Sequence, residues 1–488
     1  MHKIYMVLTF VFIGNFAFSQ SVSGTLVDLE TNDVIPFATV QIGDEYGVIT
    51  NAEGVFTINT DRFTENDSLH FSFLGYESQK IAIKDFKNDT LYMKPIVNTL
   101  GSVYLVNNNV DPLKILDSIR ANIPRNYVST NTKLTTFQRE KKTTTPTTIN
   151  FEVKKADFID KKTIKDLNQD LASLAAKSIN STTNTYYDTF MEIYGSDDNT
   201  IKLDLKKGTK LFNREKSLSS DNIQNKVIGK LAERIKSGST FKVRSGILPL
   251  GDSIDLKSSL VSEDESIKIS EKKSAVNRIL QNAGFGENSS YDFVFEPKKY
   301  SYELTSVVDY NDKMVYVIEF NPDRNSAKYT GELYVNAEDY AILKIKYKLA
   351  EGKLGQNVNL KFLLGIKYRE LGKEALVLYQ QTPSGYKPKF IKTISDTYAY
   401  FNRSLTFIEN KDKQNDPIKI KFDILSESKN RNVLELVVLE TEAISPSTFS
   451  AFSEIEKQTI EVIEKYNPEI WQSFTIIAPD KAIKEFDY

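Results

Sequence analysis

The apolar and polar positions change period several times along the chain, and each change marks a stretch of different build. Short apolar runs come first: Val22 to Val27, Ala38 to Ile42, Val55 to Ile58, Leu69 to Leu74, Lys80 to Ile83 and Thr90 to Met93. Runs spaced by about ten residues, punctuated by Gly24, Gly43, Gly47, Gly54 and Gly75, predict a small antiparallel sandwich over residues 20–95. Phe56, Phe71 and Phe73 alternate toward its core. Asn51-Ala52-Glu53-Gly54 reads as a turn in which Gly54 is free to take positive φ.

Residues 96–130 read as a linker and a helix. Asp111 is a good N-cap, Pro112 fits the first helical position, and Leu113, Leu116 and Ile119 lie on one face with Ile123 beyond. Residues 131–289 are mixed α/β. Polar strands (Thr135 to Lys142, Asn150 to Phe158, Tyr186 to Tyr194) alternate with helical stretches (Ile164 to Ile179, Asp221 to Lys236, Ser274 to Gln281). Ser/Asn/Lys-rich segments at 178–184 and 262–274 read as loops.

Residues 290–440 alternate strongly. Leu343, Ile345, Tyr347 and Leu349 face one way and Lys344, Lys346 and Lys348 the other. Val358, Leu360, Phe362, Leu364, Ile366 and Tyr368 oppose Lys361, Lys367 and Arg369. Ile418, Ile420, Phe422 and Ile424 oppose Lys419, Lys421 and Asp423. One wet face and one apolar face predict an antiparallel meander of about eight to ten strands that covers something. Asn336 to Asp339 and Pro383-Ser384-Gly385 read as hairpin turns. Residues 441–488 read as a helical tail, with an imperfect stripe from Phe449 to Tyr466 and with Trp471 and Phe474 docking on the preceding sheet. The expected class is mainly β, α+β overall.

Composition bounds the setting. The 488 residues carry a formal charge of −2, which argues against bulk nucleic-acid binding. Residues 1–19 read as a secretory signal: Lys3, an apolar stretch from Val7 to Phe18, then Ala17-Phe18-Ser19 before Gln20. No other window reaches the ~20 apolar residues of a membrane helix. The meander is too short and too Lys-rich for a transmembrane barrel. With no cysteine there is no disulfide and no lipoprotein acylation site. The expected location is the periplasm or the outer membrane's periphery.

The first unit resembles a known family. Gly24-Thr25-Leu26-Val27-Asp28, Thr31, Ile35-Pro36-Phe37-Ala38-Thr39-Val40, Gly47 to Phe56 and Asp67 to Tyr76 look like the carboxypeptidase regulatory-like domain. That resemblance implies a transthyretin-like seven-stranded sandwich, of the kind that opens exported Bacteroidetes envelope proteins. Leu113 to Tyr127 with Phe137-Gln138-Arg139-Glu140 resembles, more loosely, the segment that follows this sandwich in an uncharacterised Bacteroidetes envelope family. Gly331 to Asn336 through Ala341-Ile342 resembles a hairpin of lipoprotein-carrier half-barrels.

The catalytic inventory is thin. Beyond the signal the chain has one histidine, His70, so the two or three His ligands usual in a zinc peptidase site are missing. A Ser-His-Asp triad would need His70, which alternates with Ser68 and Ser72 on the polar face of a sandwich strand. Ser270 to Lys273 and Ser426 to Lys429 fit S-x-x-K without a strand-to-helix context. Gly246 to Gly251 has phosphate-loop spacing, but Asp252 stands where lysine is needed. Gly284-Phe285-Gly286 lacks a third glycine. Asp197-Asp198-Asn199 and Asn321-Pro322-Asp323 are oxygen-rich without calcium-loop spacing. Asp67-Ser68-Leu69, Asp89-Thr90-Leu91, Asp117-Ser118-Ile119 and Asp252-Ser253-Ile254 resemble a Bacteroidetes O-glycosylation sequon. The expectation is therefore no catalytic, cofactor or metal residue.

Three functions compete. The first is a non-enzymatic binding or scaffold component of the envelope, partnered with an outer-membrane barrel or a secretion or transport complex. The second is a lipid or lipoprotein carrier built on the meander. The third is a serine- or carboxylate-dependent hydrolase. The Lys rows also suit anionic lipid or lipopolysaccharide.

Overall fold

The computed structural model describes residues 20–44, 46–87, 89–96, 110–213, 239–246, 248–255, 266–286, 289–311, 313–410 and 416–486. The expected signal, most of the linker before Val110 and the expected helix Asp221 to Lys236 lie outside them.

The N-terminal runs fold as β1 (Ser21–Asp28), β2 (Thr39–Ile42), β3 (Tyr46–Ile49), β4 (Val55–Asn59), β5 (Ser68–Ser72), β6 (Gln79–Ala82) and β7 (Thr90–Met93). A three-stranded sheet, β4-β1-β7, faces a four-stranded one, β3-β2-β5-β6. This is the expected seven-stranded sandwich. Leu26, Val40, Ile42, Phe56, Ile58, Leu69 and Phe71 fill its interior. Gly54 takes φ +73, and an added Cβ there would sit 2.8 Å from the Leu26 carbonyl oxygen, so this turn requires glycine.

The rest is organised by one 14-stranded sheet. Its strands are β8 (Thr132–Ala156), β9 (Thr183–Gly195), β10 (Ile201–Phe212), β11 (Thr240–Ser245), β12 (Leu248–Asp255), β14 (Tyr300–Tyr310), β15 (Lys313–Pro322), β16 (Tyr329–Asn336), β17 (Ile342–Leu349), β18 (Asn357–Leu360), β19 (Ile366–Thr382), β20 (Gly385–Glu409), β21 (Lys419–Ala443) and β23 (Glu461–Ile463). The main order is β14-β15-β16-β17-β19-β20-β21-β8-β9-β10-β23. A separate ribbon pairs β13 (Ser266–Lys268) with β22 (Lys457–Thr459). The sheet runs through the division expected near residue 289, because β8 pairs with β21 along nearly its whole length.

Around β21 both faces of this sheet are covered. Leu434, Leu436 and Val438 of β21 pack under the helices Pro112–Asn126 and Ile269–Asn282, while Val437 and Leu439 join the sandwich core. On the helical side Ile115, Leu116, Ile119, Val276, Tyr291 and Phe293 are buried. The 112–126 helix turns Ile115 rather than Leu113 inward, and Leu113 is exposed. The interior tyrosines are hydrogen-bonded: Tyr379 donates to the Ala283 carbonyl at 2.7 Å and Tyr127 to the Ile342 carbonyl at 3.0 Å. That face of the meander is filled with side chains.

Strands β8, β20 and β21, each of 25 residues and about 80 Å long, continue past the helices as a long arm. The helix Lys161–Ser178 and β11 cover it, with Phe151, Leu171, Ala175, Phe241 and Phe422 in its core.

The helical content of the tail is small: Pro446–Ala451, a 3-10 turn at Pro468–Trp471 and Lys481–Lys484. Tertiary pairing overrides the helical stripe in between. There β22 pairs with β13 and β23 with the open edge of β10. Trp471 meets Phe137 of β8 edge-to-face, and Phe474 packs on Phe190 of β9.

Candidate functional site: a cleft between sandwich and sheet

The sandwich sits on the sheet without closing the junction, and a cavity of about 820 Å³ remains between them. Strand alternation decides what the sandwich contributes. Val40, Leu69 and Phe71 point into its core, so Thr39, Gln41, His70 and Ser72 point outward into the cleft. Register pairs Gln41 with His70 and Thr39 with Ser72, which makes one polar row.

The opposite wall comes from the sheet and its turns. Lys344 and Leu378 are cross-strand partners on β17 and β19, and Tyr310, Lys313, Gln380 and Lys389 extend the lining. Phe37 and Phe73 of the sandwich close it from above. Phe37 holds a left-handed backbone (φ 62), rare for an aromatic residue. Its ring stacks on Phe390 of β20 at 5.4 Å, and its N–H donates to the Thr50 carbonyl at 3.1 Å. Strain of this kind persists only where surrounding contacts over-determine it.

Cations dominate the cleft. Lys344 lies between two rings, with Nζ 4.4 Å from the centre of Tyr334 and 5.8 Å from that of Phe73. Burial pulls its ammonium down to about 8; Glu332 opposes this and Lys346 adds to it. Lys389 is 4% exposed and donates to the Gly47 carbonyl of β3 at 3.0 Å, which ties sheet to sandwich. Burial pulls it down to about 7, with Glu440 opposing. Burial, then Lys80, lowers His70 from its ordinary value, which favours the neutral imidazole. Lys313 donates to Gln381 Oε1 at 3.2 Å. Asp44 is the carboxylate among the described lining residues.

The other sequence candidates do not assemble into a site. Lys273 is paired with Glu454. Ser426 and Lys429 lie three apart on extended β21, which puts them on opposite faces. Gly246, at φ +61, makes the β11–β12 turn, and Gly284 to Gly286 follow the end of the 269–282 helix. Asp198 accepts hydrogen bonds from Ser196 Oγ and the Thr200 N–H within the β9–β10 turn. Among the described residues no group of three His, Cys, Asp or Glu converges as metal ligands would.

The sequence placed His70 on the outward face but gave no sign of what stands opposite. Lys344 belonged to a Lys row read as solvated; Lys346 and Lys348 are exposed, and Lys344 alone of the three lines the cleft.

Residues 22–103 match the CarboxypepD_reg-like domain family. No curated protein matches the chain. Three solved structures align at 10% identity. One is a domain assigned to an outer membrane lipoprotein-sorting protein from Vibrio parahaemolyticus, with a TM-score of 0.21, covering 70% of this chain and 97% of that one. Another is a DUF1329 family protein from Desulfovibrio piger, with a TM-score of 0.21, covering 70% and 100%. The third is a membrane-associated protein of unknown function from Bacteroides fragilis, with a TM-score of 0.13, covering 86% and 98%. Among the described residues no helix is long and apolar enough to cross a membrane. The family match and the seven-stranded sandwich agree: the N-terminal unit of this chain is a CarboxypepD_reg-like domain.

Proposed function

We propose that the chain is a non-catalytic binding component of the cell envelope, working at the periplasmic or outer-membrane side with a barrel or transport complex. In this reading the sandwich–sheet cleft takes an amphipathic anion. The observation that carries it is Lys344, a cation with a depressed pKa, held between Phe73 of the sandwich and Tyr334 of the sheet at a cavity also lined by Leu343 and Leu378. Such a cation gains most from an anion that arrives with an apolar body, because the ligand neutralises a charge that burial disfavours. Export is supported by the signal-like residues 1–19. The Ser-Lys candidates lend a catalytic reading little support, since Lys273 is engaged by Glu454 and Ser426 and Lys429 lie on opposite faces of β21.

Equilibrium titration with a dansylated long-chain carboxylate tests the site. Affinity should fall as pH rises through about 8, where Lys344 loses its proton. Lys344→Met should weaken binding by about tenfold or more and flatten that pH dependence, tenfold being about 1.4 kcal/mol. Leu378→Trp, which fills the cleft without removing a charge, should also weaken it. Unchanged affinity in both variants would remove the cleft as the site.

The helix-covered face gives less room for the carrier reading, because Tyr291, Phe293 and the helices occupy it. Any cargo is placed in the cleft instead.

A further inference from the structure

The alternation of Val358 to Tyr368 suggests one continuous strand, but the chain breaks there. β18 ends at Leu360, a single helical turn spans Lys361–Leu364, and Gly365 (φ +61) redirects the chain into β19. The turn is built rather than loose. The Gly365 carbonyl accepts the Asn402 N–H at 2.8 Å, and a Cβ on Gly365 would lie 2.0 Å from the Asn402 carbonyl oxygen. Its consequence is a knuckle that holds apolar side chains outward. Phe362 is fully exposed, Leu363 is 73% exposed, and Val358, Leu360 and Ile366 are exposed beside them.

A second apolar tip adjoins it. Strand β19 leaves the edge of β20 at Ile366, opposite Phe401, and β11 takes over that edge from Arg244, opposite Thr406. Arg403 fills the gap. Its guanidinium donates to Ser245 Oγ at 2.6 Å and to the Ser245 carbonyl at 2.8 Å, while its Cδ lies against Gly365. Beyond the β11–β12 turn, the start of β12 exposes Leu248 and Leu250, the latter at 58%. Scattered exposed leucines need no explanation, but two adjoining apolar tips around a fully exposed phenylalanine do.

Charge decides what covers them. From Gly352 to Arg369 the chain carries Lys353, Lys361, Lys367 and Arg369 and no carboxylate. From Thr240 to Gly251 it carries Lys242 and Arg244 and again no carboxylate. Lys361 Nζ rests over the Tyr400 ring at 4.1 Å, at the base of the knuckle. The nearest carboxylates in sequence, Glu351, Glu370 and Asp252, stand just outside these stretches, and Glu370 accepts the Gln356 N–H at 3.0 Å. Aromatic and aliphatic tips whose own segments carry only cations are complementary to an anionic bilayer surface, where the apolar groups enter the acyl boundary and the cations meet headgroup phosphates.

We propose that Phe362 and Leu363, with Leu248 and Leu250, form a membrane-seating edge that inserts into the surface of an anionic lipid bilayer. The seating is peripheral and reversible, since a few apolar side chains give far less anchoring than a spanning segment.

Co-sedimentation with vesicles tests it. The protein is mixed with phosphatidylcholine vesicles in which phosphatidylglycerol is about a third of the lipid, and with pure phosphatidylcholine vesicles as reference. The wild type should sediment with the anionic vesicles at least about tenfold better than with the neutral ones, and added salt should release it. Phe362→Asp combined with Leu363→Asp should reduce binding to the anionic vesicles about tenfold or more. Lys361→Glu with Lys367→Glu, which keeps the apolar tip, should reduce it as well. Both pairs lie at the surface, so matching thermal unfolding curves establish that the variants are folded. Three results would overturn the proposal: no preference for anionic vesicles, unaltered binding by the aspartate variant, or a wild type that self-associates through the knuckle while the aspartate variant does not.

Discussion

Two buried charges set the chemistry at the scale of single residues. Lys389 sits at the sandwich–sheet contact with its ammonium pulled down to about 7 from an ordinary value of 10.5. Below about 7 the folded and unfolded chains both hold this proton, so the residue adds no pH dependence there. Between about 7 and 10.5 the unfolded chain binds a proton that the folded chain has released, so stability rises with pH by up to about 1.4 kcal/mol per unit. Lys389→Met should remove that increment. Urea unfolding of both proteins at neutral and alkaline pH reads it, and equal slopes would show that Lys389 is not the group responsible. Arg139 is the opposite case. Burial opposes its charge, but Asp188 outweighs burial and holds the guanidinium above its ordinary value. Nε and Nη2 reach the two Asp188 oxygens at 2.9 and 2.6 Å, and Nη1 donates to the carbonyls of Ile477 and Ala478 in the tail. Asp188→Ala leaves a buried cation unpaired and should cost about 3–5 kcal/mol, whereas the same change at the exposed Asp323–Arg324 pair should cost under about 1 kcal/mol. Chemical denaturation of the two variants gives the comparison.

Elements were legible where one face met solvent and obscure where tertiary pairing decided. The sandwich strands and the hairpins at Asn336 to Asp339 and Pro383 to Gly385 follow from alternation and turn chemistry alone. Strand β8 does not. Its sequence reads as two strands separated by a Thr-rich break with Pro146, yet it is continuous over 25 residues. Pro146 is accommodated because the β8–β21 register shifts between Glu427 and Ser428, beside it, and because β9 has already ended at Thr183, opposite Thr144. A proline without an N–H is tolerated at such an edge bulge. The tail misleads in the other direction, since its helical stripe yields to the open edges of β13 and β10. The cleft was the least legible feature. It is made by residues some 300 positions apart, and no local pattern tells His70 that Lys344 and Leu378 will face it. Trp471 is the element-scale exception, since its docking follows from its size and apolarity. It is 3% exposed and packs edge-to-face on Phe137 at 5.5 Å. Trp471→Ala should cost about 3–5 kcal/mol, measured as a lower urea midpoint at an unchanged slope.

On the scale of the whole molecule the question is whether sandwich and sheet unfold as separate bodies. Chains of this length commonly do so domain by domain. Here the sandwich shares its core with the sheet: Leu26, Val40 and Phe71 belong to one buried cluster with Phe390, Val437 and Leu439 of the sheet and Trp471, Ile476 and Ile477 of the tail. The tail also ties them together through hydrogen bonds. The Asn59 N–H donates to Thr475 Oγ at 2.8 Å, Asn51 Nδ2 donates to the Ala478 carbonyl at 3.1 Å, and the Lys481 N–H donates to Glu53 Oε1 at 2.9 Å. Shared apolar burial couples stability more strongly than surface contacts do, so the two bodies should lose structure together. The chain's single tryptophan stands at this junction and makes the test direct. Its fluorescence reports undocking, whereas far-UV circular dichroism reports mainly the large sheet. In urea the two curves should coincide for the wild type, which is the standard test for a single transition. Asn51→Ala with Thr475→Val weakens the tail's grip on the sandwich by removing two of these three hydrogen bonds, and it leaves the sheet intact. In that variant the fluorescence transition should move to lower urea and precede the dichroism transition. Ligand affinity at the cleft should fall with it, because Phe37, Phe73 and His70 reach Lys344 only while the sandwich is docked. Wild-type curves that separate would make the sandwich an independently folding module, and the cleft a transient opening between two bodies instead of a standing site.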